Sequence, residues 1–99
     1  MIKHIVMWKL SPLSEQKTKK ENAEKIKVML ENLRQYIPQI NKIEVGINFN
    51  ESDAAYDVVL YSEFASADDL QIYQKHPEHI KVAEFIAKVK TDRVVADYE

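Results

Sequence analysis

The sequence predicts an α+β chain in the order β-α-β-β-α-β, built on a four-stranded antiparallel sheet. Three observations carry this. Apolar residues recur at every second position in four segments and at every third or fourth in two helical regions, and the two spacings follow one another in that order. The strand segments with apolar residues on both faces are the first and the third. Right-handed crossovers place those two in the centre of a split βαβ plan. All three prolines, Pro12, Pro38 and Pro77, fall where an element must start or stop.

Ile2–Leu10 reads as a strand, with Ile2, His4, Val6, Trp8 and Leu10 on one face and Met1, Lys3, Ile5, Met7 and Lys9 on the other. Ser11-Pro12-Leu13-Ser14 breaks it, and Ser14 is placed to cap a long helix over about residues 15–36. Ala23, Ile26, Leu30, Leu33 and Ile37 form its apolar stripe, and Pro38 ends it. Lys42–Phe49 alternates cleanly, with Ile43, Val45, Ile47 and Phe49 on one side, as an edge strand with one wet face does. Asn50–Ala54 is a polar hairpin loop, and Tyr56–Phe64 is the next strand.

Ser66 caps a short helix with Leu70 and Tyr73 inward and with Asp68 and Asp69 at its positive end. His76-Pro77 interrupts the helical region. Pro77 suits the first position of a second helix, about 77–89, carrying Ile80, Ala83, Phe85, Ile86 and Val89. Asp92–Tyr98 closes the order, with Val94, Ala96 and Tyr98 against Arg93, Val95 and Asp97.

A chain of 99 residues allows one domain, read as 1–99. Net charge is −2, and the lysines between Lys17 and Lys27 are interleaved with Glu15, Glu21 and Glu24, some at i,i+4 spacing such as Glu21–Lys25. That is a solvated helix face, so no nucleic-acid partner is expected. With no cysteine, disulfides, thiolate chemistry and Cys-ligated zinc are excluded. Met1–Leu10 carries Lys3, His4 and Lys9, unlike a signal peptide, and no stretch reaches membrane-spanning length. A cytoplasmic protein with no membrane partner is the expectation.

Two helical regions cover one face of such a sheet. The other would present His4, Val6 and Trp8, or Tyr56, Val58 and Leu60, to water, and a contiguous apolar patch marks an interface or a ligand groove. A second copy packed sheet to sheet is the economical cover. Interface and pocket are then expected to share His4, Val6 and Trp8.

The Lys3-His4-Ile5-Val6 strand, the Tyr56-Asp57-Val58-Val59-Leu60 strand, the run Tyr73-Gln74-Lys75-His76-Pro77-Glu78-His79 and the closing Asp97-Tyr98 together resemble the stress-responsive A/B barrel domain family. The resemblance covers essentially the whole chain. It implies a ferredoxin-like subunit that pairs as a homodimeric α/β barrel. A plant member of the family is a polyketide cyclase, and by motif position its acid/base pair falls on Tyr73 and His79. The resemblance also implies a substrate pocket lined by His4, Val6, Trp8, Leu30, Leu60 and Val82. The matching stretch of the first helix, Glu24–Leu30, lacks the cyclase's aromatics, so a differently shaped pocket is implied.

His79 near a helix start is disfavoured as imidazolium, which suits a general base. Tyr73 could steady a developing oxyanion. The alternative is a core histidine bonded to a backbone carbonyl and a buried tyrosine with a satisfied hydroxyl. His76 is placed to cap the helix after it. His76, His79 and a distant His4 do not make a convincing metal set, so neither metal nor cofactor is expected. The functional expectation is a homodimer binding a small apolar carbonyl compound, with cofactor-independent cyclase- or lyase-like chemistry. A non-enzymatic stress or assembly protein with structural histidines is the competing one.

Overall fold

A computed structural model describes residues 1–99. The elements run β1 (Ile2–Leu10), a small hairpin of β2 (Leu13–Ser14) and β3 (Lys17–Thr18), α1 (Lys19–Glu31), a 3-10 turn (Asn32–Gln35), β4 (Ile40–Ile47), β5 (Val58–Phe64), α2 (Ala67–Lys75), α3 (Pro77–Val89) and β6 (Lys90–Tyr98). The four long strands form one antiparallel sheet in the order β4-β5-β1-β6. The two strands with apolar residues on both sides are therefore its centre, as expected of a ferredoxin-like subunit.

The sheet faces separate by residue parity. His4, Val6, Trp8 and Leu10 of β1 and Val58, Leu60, Ser62 and Phe64 of β5 are buried. The apolar ones pack with Ala23, Ile26 and Leu30 of α1, Leu70 and Tyr73 of α2, and Val82, Ile86 and Val89 of α3. The outer face carries the other parity. Ile5 lies between Tyr61 and Ala96, and Met7 between Val59 and Val94, in one apolar stripe. The expectation that pocket and interface share His4, Val6 and Trp8 is thus corrected. Those residues, with Val58 and Leu60, face the helices, and the open face is made of their neighbours.

The start of the first helix is corrected too. Ser14 is not a cap, because Glu15 and Gln16 adopt φ of 52° and 62° and turn the chain into the β2-β3 hairpin. Two successive left-handed residues are the two-residue hairpin geometry, unfavourable for side chains other than Gly, Asn or Asp. The hairpin is pinned from outside: Ser14 Oγ donates to Lys88 O at 3.0 Å, and the buried Asn22 donates to Ser14 O at 3.1 Å. Thr18 is the true cap. It accepts from Glu21 N at 3.2 Å while Glu21 accepts from Thr18 N at 3.0 Å, a complete capping box.

The α-helix ends at Glu31 rather than near 36, tightening into the 3-10 turn. Glu31 also accepts from Lys27 at 2.9 Å and from Val45 N at 3.1 Å, tying α1 to the sheet edge. Phe49, expected in the second strand, lies beyond it and is 96% exposed. Ile80, expected inward on α3, is exposed, and Val82 takes the core position instead. Gly46 is a close approach: a Cβ there would come within 3.2 Å of Val59 Cγ1.

Candidate functional site

The site grows out of the α2-α3 corner. Pro77 excludes the helical region for the residue before it, so His76 is extended (φ −65°, ψ 136°) and the two helices part there. His76 Nδ1 accepts from Glu78 N at 3.0 Å, the capping role expected of it. His79 then falls in the first turn of α3. Its Nδ1–H donates at 3.1 Å to Gln74 O, a carbonyl at the C-terminal end of α2 with no helical partner. That bond sets the tautomer and leaves Nε2 with its lone pair. Burial holds the His79 pKa below the ordinary imidazole value, against the bond to Gln74; the nearby His4, Arg93 and His76 add to the lowering.

His79 packs at 4.5 Å against the ring of Tyr73, which lies 4.9 Å from Phe64 and 6.2 Å from His4 (centroid distances). Tyr73 is fully buried, and its hydroxyl has no hydrogen-bond partner in the protein. Burial pushes that phenol well above its usual pKa, so it stays a donor. His4 is buried on the helix-facing side of β1, and its Nδ1–H donates to Asp97, its register partner on β6. The carboxylate orients this imidazole as the carbonyl orients His79.

A cavity of about 180 Å³ opens between sheet and helices beside these rings. His4, Val6 and Trp8 of β1, Leu30 of α1, Leu60 of β5, and His79 and Val82 of α3 all line it. Tyr73 does not. It sits in the ring cluster against His79 rather than in the wall. Sequence reasoning missed Gln74, Ala83, Ile86, Lys90 and Arg93, which complete the lining. A signal existed for two of them: His79, Val82, Ala83 and Ile86 follow i, i+3, i+4, i+7, one helix stripe. Arg93 shares strand parity with Asp97 and lies opposite Trp8. His76 borders a separate depression with Asp68, Gln71 and Lys75, so the histidines three residues apart do not share a site.

Of the structural alternative for this corner, one half is seen and the other is not. His79 does bond a backbone carbonyl, but the Tyr73 hydroxyl is not satisfied. The arrangement provides a neutral imidazole acceptor and a second imidazole held by a carboxylate in the wall of an apolar cavity, with an unpartnered phenol donor packed behind the first imidazole.

The chain is similar to a dimeric ferredoxin-like protein of unknown function from Bacteroides fragilis (37% identity, 99% of this chain and 94% of that one, TM-score 0.84). It is also similar to a dimeric ferredoxin-like protein of unknown function from Thermobifida fusca (24%, 98% and 88%, 0.82). A hydroxynitrile lyase from Passiflora edulis shares the fold (19%, 98% and 90%, 0.80). No curated protein matches the sequence. The model of the stress responsive A/B barrel domain matches residues 2–99, and with the fold and topology above, the chain belongs to that family.

Proposed function

We propose that the protein is a homodimer whose cavity takes a small apolar carbonyl compound and moves a proton next to its carbonyl. The observation that carries this is the Tyr73 hydroxyl, buried without a partner against an imidazole kept neutral by burial. An unmade buried hydroxyl is costly and calls for an explanation, which a ligand oxygen would provide. In the proposed step, His79 Nε2 accepts a proton from the carbon α to the carbonyl. The C–H electrons pass into the enolate, and a small shift of the ring cluster brings the Tyr73 hydroxyl, which lies behind the cavity wall, to the resulting oxyanion as a hydrogen-bond donor. The proton then returns from His79 to carbon, or the enolate attacks a second carbonyl and the proton passes from His79 to the alkoxide so formed.

The homodimer reading rests on the apolar outer stripe of Ile5, Met7, Val59, Val94 and Ala96 and on the dimeric relative at 37% identity. No helix is long and apolar enough to cross a membrane. The interleaved surface charge of α1 supports a reading without a nucleic-acid partner.

Trp8, the only tryptophan, lines the cavity, so its fluorescence reports binding directly. Acetophenone in D2O tests the chemistry. Wild type should exchange the methyl protons faster than buffer, and His79→Gln should bind the ketone with exchange at the buffer rate. Binding without exchange in wild type refutes the proton transfer, and no binding refutes the pocket.

The bond from His79 to Gln74 O favours a second reading, a non-enzymatic protein in which His79 ties α2 to α3. It predicts that His79→Ala lowers the melting temperature and leaves ketone binding as in wild type.

A further inference from the structure

Lys90 and Arg93 are the only charged side chains in the cavity wall, and both are cations. Neither forms an ion pair, although the rest of the chain supplies acids freely. Parity explains this. Asp92 lies opposite Lys9 on the outer face, and Asp97, on the same face as Arg93, is engaged by His4. The histidines do not fill the need either, since an imidazole cannot neutralise a guanidinium. The wall is otherwise apolar apart from Gln74, His4 and His79.

The two cations sit at one end. Arg93 is the register partner of Trp8 and Lys90 that of Leu10, whereas His4 pairs with Asp97 at the other end. Four residues of strand separate the His4 and Trp8 levels, about 13 Å at the usual rise. The cavity is thus polar at both ends and apolar between, with acid/base groups at one end and fixed positive charge at the other. A dry cavity of roughly 150 Å³ admits benzene, so the space beside Val6 and Leu60 takes a ring with a few further atoms.

We propose that the ligand is an amphipathic carboxylate, an apolar body of about a benzene ring's size whose anionic head is held by Arg93 and Lys90. This deepens the carbonyl-pocket reading and rests on it. The carboxylate anchors one end and leaves the other to His79 and His4. Arg93 suits the task, because its planar fork matches a carboxylate in a way that a lone ammonium does not.

The test compares phenylacetate with phenylacetamide, which has nearly the same shape and no charge, by Trp8 fluorescence at low salt. Wild type should bind phenylacetate at least tenfold more tightly. The preference should shrink as salt rises. The double variant Arg93→Gln/Lys90→Gln should bind the acid and the amide equally. Both positions are exposed, so the fold should survive, and a thermal melt checks it. Arg93→Lys should retain part of the preference. Equal binding of acid and amide by wild type would overturn the inference and leave the pocket reading standing. So would a preference that survives in the double variant. Binding of neither compound would remove both.

Discussion

Replacing Tyr73 by Phe should make the protein more stable. The ring sits in a tight cluster, 4.9 Å from Phe64 and 4.5 Å from His79, and phenylalanine keeps those contacts. Only the hydroxyl is lost, and it has no partner in the protein. A buried donor left unmade costs about 1–3 kcal/mol, and the vacated oxygen volume costs a few tenths of that scale in lost contacts. The balance is a gain of about 1–2 kcal/mol. For a chain of this length each kcal/mol moves the melting temperature by about 4–8 °C, so a rise of at least about 4 °C is expected. Calorimetry at fixed protomer concentration measures it, because association shifts the melting point by mass action. The same variant should lose acetophenone exchange. A melting temperature that falls would refute the reasoning. It would mean that the hydroxyl is satisfied in the free protein and is not held back for a ligand.

His79 makes stability pH-dependent. Its folded pKa lies below the unfolded value, so the unfolded chain binds a proton first as pH falls. Stability should be complete above the unfolded value of about 6.5, decline below it and level off below the folded pKa. His79→Gln should flatten that decline in urea melts taken across the range. His76→Ala should cost about 0.5–2 kcal/mol through the lost cap on α3, with Trp8-detected binding intact; altered binding would place His76 in the site. Met7→Lys should give a monomer by light scattering while the cavity still binds ligand, and a persistent dimer would move the interface elsewhere. Replacing Glu15-Gln16 by Asn-Gly, which favour left-handed backbone, should raise the urea midpoint.

Much of this molecule was legible in its sequence wherever the signal is local. Pro77 and Ser66 mark the ends of α2 and α3 through backbone sterics and capping, and the strands follow from alternation. The start of α1 was not legible. Ser14 has cap chemistry, but its hydroxyl is taken by Lys88 O, 74 positions away, and no local pattern announces that bond. Nor was the inner face legible. Both parities of β1 carry apolar residues, so periodicity identifies two faces without saying which the helices choose. In the site, the histidines and tyrosine stood out as rare residue types. Arg93 and Lys90 look like ordinary surface charge until β6 is laid beside Trp8 and Leu10.

The division of β1 by parity constrains how such a protein can change. Even-numbered positions from His4 to Leu10 line the cavity or core, and Ile5 and Met7 face outward. A substitution at one position therefore alters ligand fit or the outer surface, each without the other. Inserting or deleting a single residue in the middle of the strand would exchange the two sets beyond that point and damage both at once. Divergence in this architecture should thus keep the length of β1 and accumulate substitutions within it. Changes of length belong in the polar loop between β4 and β5, where added residues move neither face.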